Sequence, residues 1–259
     1  MYRLERKMLR RIIKYTALGL AGVFLGWMIF ELATFPNISQ LRDSNPDTTS
    51  MIDARIREAQ DRGEKPKRIQ TWVPLEKISV NLQRAVIAGE DTNFTTHHGF
   101  DYEAIQRAWE EAQREAVKEA KDEGDDESSW IPALPSFKRG ASTISQQLAK
   151  NLFLSSEKSF LRKGREAVIT YFLERKLSKR RILEIYLNVI EWGDGIYGAE
   201  AASQYYFKKS ASELSQRDAA FLSAIIPNPN TVFNPQKNPK RVARRQRIIL
   251  RGMSYVKTP

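Results

Sequence analysis

Two adjacent carboxylates, Glu90 and Asp91, follow directly on an apolar run, Leu82 to Ala88, and a glycine. The stretch that holds them, GEDTNFTTHHGFD at 89–101, also contains both histidines of the chain, His97 and His98. If the apolar run is helical, Gly89 falls where helices end, and the acids lie beside the negative pole of the helix dipole. Negative charge there costs stability. A carboxylate in that position, close to an aromatic (Phe94) and an imidazole (His97), gains proton affinity. Raised proton affinity is what a general base requires. An acidic pair standing alone is otherwise an ordinary surface feature.

Two further stretches carry chemistry. GASTISQQLAKN, 140–151, crowds Ser142, Thr143, Gln146, Gln147, Lys150 and Asn151 into one segment. Hydroxyls and amides at this density suit sugar and phosphate oxygens. A polar helix start explains the hydroxyls but not the paired glutamines or the Lys-Asn. In SFLRKGREAVITYFLERKL, a helix capped by Ser159 puts Arg162, Lys163 and Glu166 on neighbouring positions near its positive end. That is either a ready anion site or an ordinary i,i+4 ion pair.

The elements that must position these groups read as helices. Ser79 is placed to cap 80–88 and Ser159 to cap 160–177. Ser178 opens a run with Ile182, Ile185, Tyr186 and Val189 on one face, and Ser215-x-x-Asp218 forms a capping-box start that Pro227 stops. Alternating strand patterns are few, so the fold is expected to be mainly α. Residues 72–259 form the candidate domain. Within it, 110–136 is an acidic insert, either a solvated helix with a disordered end or a mobile flap beside the site; Glu110 to Glu127 alone hold nine acids and three bases. The opposite bias appears from Lys237 to Arg251, with seven basic residues and no acid, and suits either lipid headgroups or a solvated helix.

The rest of the chain bounds the setting. Hydrophobic residues are 41% and charged residues 28%, which fits a globular domain with solvated segments. With no cysteine, disulfides and thiolate chemistry are excluded. The N-terminus carries a basic tail, 1–14, and an apolar run, 15–35, read as a single uncleaved membrane helix. The excess of Lys and Arg before it places the N-terminus in the cytoplasm and the domain outside. Residues 36–71, polar and punctuated by Pro36, Pro46 and Pro66, read as a stalk with one short helix around Ile52, Ile56 and Ala59. A net charge of +11 calls for an anionic partner. For an outward-facing domain that partner is an anionic membrane surface or a phosphorylated lipid, and nucleic acid is excluded.

Taken in order, these stretches resemble the five-motif signature of the peptidoglycan glycosyltransferases, lysozyme-like enzymes that polymerise lipid II. E-D-x-x-F-x-x-H-x-G matches at 90–99, G-x-S-T-I-x-Q-Q-x-x-K-N at 140–151, R-K-x-x-E at 162–166 and K-x-x-I-L-E-x-Y-L-N at 179–188. A fifth motif matches around 195–208, through Gly198, Ala202, Tyr206 and Phe207. Length and single anchor look like the monofunctional branch of that family. Lys208 departs from the pattern, standing where a glycine commonly follows the Tyr-Phe.

The resemblance implies a two-lobed, lysozyme-like domain on the bacterial inner membrane, with its catalytic part in the periplasm. It implies Glu90 as general base and Glu166 as the second carboxylate, acting on the leaving group directly or through a divalent cation, Mg2+ or Mn2+. Ser142, Gln147 and Asn151 would hold the donor. Lys150, Arg162 and Lys163 would neutralise a leaving pyrophosphate, and Asp91, Phe94, His97 and Gly99 would shape the site. Lipid II, the nascent glycan strand and proteins of wall-synthesis or division complexes are the implied partners. A lytic enzyme of similar fold would cleave glycan instead, and would have little use for clustered cations.

Overall fold

The computed structural model describes residues 2–122, 142–154 and 159–259. The chain divides between Asn37 and Ile38 into two compact units. Helix α1, Tyr2–Ala33, makes up nearly all of the first. The stretch beginning at Ile13 is long and apolar enough to cross a membrane, by length and composition. Its large side chains, Leu18, Phe24 and Ile29 among them, are exposed.

The second unit begins earlier than the sequence suggests. Residues 38–71, expected as a stalk, belong to the same compact unit as everything after them. Ile38 and Leu41 are buried in a 3-10 turn, Ile38–Arg42. Thr49 caps α2, Ser50–Asp61, which buries Ile52 and Ala59 and packs on α5, Ile144–Phe153. Arg181 fastens this segment by donating to the carbonyls of Leu41 and Ser44. The apolar side chains here are too few to stand out in a polar sequence, yet each finds a partner distant along the chain.

Serine caps place four further helices close to where the sequence predicts them. Ser79 accepts from Asn81 N at the start of α3, Val80–Glu90. Ser159 caps α6, Phe160–Lys176, and Ser178 caps α7, Lys179–Val189. Ser215 and Asp218 form the reciprocal capping box of α9, Gln216–Ile225. Each such cap satisfies an amide that the helix cannot pair itself, worth about 1 kcal/mol. Helix α4, Tyr102–Asp122, takes up the first part of the acidic stretch; the rest of 110–136, from Glu123, lies outside the described residues.

Two helix groups share the core. In one, α3 packs on α9 and on α10, Pro239–Gly252; in the other, α5 packs on α2, α6 and α7. A small sheet of order β1-β3-β2 flanks them, built from β1 Ile69–Gln70, β2 Glu191–Gly193 and β3 Ile196–Tyr197. The E-x-Y-L-N run of α7 ties the second group to the chain before α3. Glu184 accepts from Leu75 N, and Asn188 exchanges hydrogen bonds with the backbone of Val73 at 2.9 Å each way.

Gly89 does not end α3, which runs on through Glu90. It is glycine for space: a Cβ there would stand 2.5 Å from Ser223 Oγ on α9, a hydroxyl already committed to the Ala85 carbonyl. Helix α8, Ala199–Phe207, ends on Lys208 in the left-handed region, φ 58° and ψ 33°. Side chains with a Cβ are disfavoured there by roughly 1–2 kcal/mol, which is why glycine suits this position. Lys208→Gly is therefore expected to raise stability by up to about 1 kcal/mol in chemical denaturation. A clear loss of stability would contradict this account of the α8 terminus.

Candidate active site

The two carboxylates at the end of α3 turn to different tasks. Asp91 leaves its own helix and docks on the positive end of another. Its Oδ2 accepts from Ile144 N, the first amide of α5, at 2.9 Å. Its oxygens also accept from His97 Nε2 at 2.9 and 3.0 Å. Gly99 N donates to His97 Nδ1 at 3.1 Å, so the ring proton sits on Nε2 and points at Asp91. A second clasp lies alongside, from Thr143 Oγ1 to the Gly99 carbonyl at 2.7 Å. Thr143 and Gln146 complete a capping box on α5. The first and second motifs are thus joined at a helix N-terminus.

Gly99 permits the close approach. Its φ is +95°, and a Cβ would lie 3.1 Å from both Glu174 and Thr170 of α6. Beneath it, Glu174 accepts from Lys179 at 2.7 Å and from Ser145. Lys179 also sits 4.5 Å above the ring of fully buried Phe94. Phe94 and His97 therefore brace the first motif from within.

Glu90 lines a cavity of about 160 Å³ together with Asp91, Asp101, Ser142 and Thr143. Its side chain is only 8% exposed. Gln147 Nε2 donates to Oε2 at 3.0 Å, and Arg245 Nη2 donates to Oε1 at 2.7 Å. Tyr186 Oη donates to Gln147 Oε1 at 2.8 Å, which fixes the amide so that its NH₂ faces Glu90. Burial pushes the Glu90 carboxyl above the ordinary glutamate range, against the pull of Arg245 and Gln147. It is a carboxylate that can accept a proton.

The cations gather on α5 and α6. Glu166 is buried and accepts from Arg162 at 2.9 Å and from Lys163. Lys150, a turn along α5 from Gln147, is held below the ordinary lysine range by burial, opposed by Glu166 and reinforced by Arg162 and Lys163. It lies in the field of both Glu166 and Glu90, and so joins the two carboxylates electrostatically. Asn151 is half-buried beside it. Such a cluster can receive a multiply charged anion.

The Glu166 environment does not fit a metal held by the protein alone. Each of its oxygens is engaged by a cation. Among the described residues, no group of three or more Asp, Glu or His side chains is arranged to hold a metal ion. A separate cavity of about 860 Å³, lined by Arg55, Glu191, Tyr197 and Asn230 among others, shares no residue with the Glu90 cavity. Its charges largely neutralise one another, as in Arg55–Glu191 and Lys67–Asp194.

The family model for transglycosylases matches residues 57–124 and 128–254, most of the chain. A biosynthetic peptidoglycan transglycosylase of Chromobacterium violaceum is 44% identical over 93% of this chain and 96% of its own. The Dechloromonas aromatica protein of the same name is 40% identical over 98% and 100%, and that of Paraburkholderia xenovorans 42% over 92% and 91%. This chain belongs to the transglycosylase family.

Two residues at Glu90 are given no role by the sequence, although Tyr186 is the tyrosine of the K-x-x-I-L-E-x-Y-L-N motif. Tyr186 reads as one apolar position of a helix face, and Arg245 as one of many cations in the 237–251 run. Only the packing of α10 on α3 singles out Arg245.

The Asp91 clasp generates a test. An asparagine oxygen in the place of Oδ2 can serve both Ile144 N–H and His97 Nε2–H, but the NH₂ then stands at Oδ1 and faces the same His97 N–H, donor against donor; turned the other way, it faces Ile144 N–H. A buried donor left unpaired costs about 1–3 kcal/mol. Asp91→Asn should lose stability in that range by denaturant titration. An unchanged midpoint would show that the clasp does not hold the two motifs together.

Proposed function

We propose that this protein polymerises lipid II into glycan strands for the cell wall, and that Glu90 is the base of the reaction. The observation that carries this reading is a desolvated carboxylate held by Gln147 and Arg245, with Lys150, Arg162 and Lys163 clustered beyond it. A proton acceptor next to an anion-binding cluster matches a transfer that deprotonates a hydroxyl while expelling a diphosphate. A glycan-cleaving enzyme has no such leaving group to neutralise.

In the proposed step, the 4-hydroxyl oxygen of lipid II's N-acetylglucosamine attacks the anomeric carbon of the growing strand and inverts it. The hydroxyl proton passes to Glu90. The bond between the anomeric carbon and phosphate oxygen breaks, and undecaprenyl pyrophosphate leaves with the electron pair. Lys150, Arg162 and Lys163 neutralise the charge that develops there. Glu166, which gathers Arg162 and Lys163, positions these cations. Ser142, Gln147 and Asn151 hold the donor sugar. A divalent cation, Mg2+ or Mn2+, would reach this site with the diphosphate rather than as a resident ion, and no step above depends on it. The apolar stretch from Ile13 anchors the chain in the bacterial inner membrane, with the basic N-terminus inside and the domain in the periplasm.

Glu90→Gln keeps size and much of the hydrogen bonding but cannot take the proton. Turnover of purified lipid II, read as polymer on a gel, should fall about 10²–10⁴-fold or more. The folded protein binds a proton at Glu90 more tightly than the unfolded chain does. Stability from this group is therefore full below the ordinary glutamate value and is lost as pH rises from there through the raised value of the folded state. At neutral pH the neutral variant should accordingly melt no lower than wild type. Polymerisation by Glu90→Gln at the wild-type rate would refute the assignment of the base.

A further inference from the structure

We infer that Arg245, on a helix outside all five motifs, is a positioning residue that holds the Glu90 carboxylate in place and stabilises its anionic form. The inference rests on the reading of Glu90 as the base.

One nitrogen makes both contacts. Arg245 Nη2 donates to Glu90 Oε1 at 2.7 Å and to the Gly89 carbonyl at 2.9 Å, so it grips side chain and backbone of adjacent residues. The Gly89 contact fixes the guanidinium against the last turn of α3, and the Glu90 contact then sets the direction of the carboxylate. The guanidinium lies 5.4 Å from the centre of the Phe233 ring, whose face attracts a cation and shields it from water. Its side chain is 27% exposed, so the pair is only partly screened by solvent.

The helix that delivers Arg245 is well fixed. Pro239 sits in the first turn of α10, and Val242 and Ile249 are buried. Gly252 lies close to Ala88 of α3; a Cβ there would be 3.4 Å from the Ala88 Cβ. Helix packing at those positions does not require an arginine at 245.

The groups around Glu90 leave Arg245 a particular task. Asp91, the next residue, disfavours a second negative charge at Glu90, and Asp101 lines the same cavity. Tyr186 on α7 stays protonated, because burial and the negative charges of Glu90 and Asp91 push it well above its ordinary range. Gln147 and Lys150 face Glu90 from α5, but Gln147 is neutral and Lys150 is drawn chiefly to Glu166. Among the described residues, Arg245 is the cation in direct contact with Glu90. Its removal leaves burial opposed mainly by one amide, so the carboxyl should hold its proton to higher pH.

The test is the pH profile of lipid II polymerisation by the full-length protein in detergent, for wild type, Glu90→Gln, Arg245→Met and Arg245→Lys. An opposite charge at this distance typically shifts a carboxylate by about 1–3 pH units. The acid limb of Arg245→Met should therefore move up by at least about one unit. Arg245→Lys, which keeps the charge but grips less specifically, should return the limb most of the way. A merely structural arginine would lower the rate and melting temperature at every pH and leave the limb in place. A folded Arg245→Met with an unmoved limb, beside an inactive Glu90→Gln, overturns the role of Arg245 alone. An active Glu90→Gln overturns the reading beneath it. If Arg245→Met does not fold, Arg245→Gln decides by the same criterion, and failure of both to fold makes the residue structural and counts against the inference.

Discussion

The site depends on one carboxylate that does no chemistry in the proposed reaction. Asp91 ends α3 and accepts from the first amide of α5, where the positive pole of that helix meets it. The charge that would be unfavourable at the end of its own helix is compensated at the start of another. This contact, with the Thr143–Gly99 hydrogen bond, brings the end of one helix group against the start of the other. Gln147, one turn into α5, is then carried to Glu90, and Lys150 follows it toward Glu166. Of the two acids at the helix end, Asp91 thus clamps two helices together, and Glu90 lines the cavity, held by Gln147 and Arg245.

Glu90 sits between opposed influences of similar kind. Removal from water favours the neutral acid, while Arg245 and Gln147 favour the anion. A carboxylate fully stabilised by cations would be too weak a base. One buried without partners would stay protonated at neutral pH. Donors on both oxygens, from helices in different groups, temper the effect of burial without cancelling it. Tyr186 contributes indirectly: by occupying the Gln147 carbonyl oxygen it keeps the amide NH₂ turned toward Glu90.

Much of this was legible in the sequence, for physical reasons. Ser79, Ser159, Ser178 and Ser215 mark helix starts because local backbone amides need those side chains, and local needs leave local signals. The motif residues Asp91, Phe94, His97 and Gly99 do meet around one helix terminus, as their clustering suggests. Long-range packing was not legible. Gly89 looks like a helix end, yet it answers to Ser223 on a helix more than a hundred residues away along the chain. The segment around Ile38 and Ile52 looks like a stalk because so little of it is apolar, and its partners lie on α5 and α6. Arg245 is hidden among seven basic residues, and only three-dimensional packing distinguishes it from the others.

The central claim is that Glu90 is a desolvated carboxylate with proton affinity above an ordinary glutamate, despite its cationic neighbour. The most direct measurement is an infrared titration of the substrate-free protein, taking the difference between wild type and Glu90→Gln. That difference isolates one carboxyl among the many acids of the chain. The expected result is a carboxyl band that gives way to carboxylate at a pH above the ordinary value of about 4.3. A group already ionised at or below that value would contradict the claim.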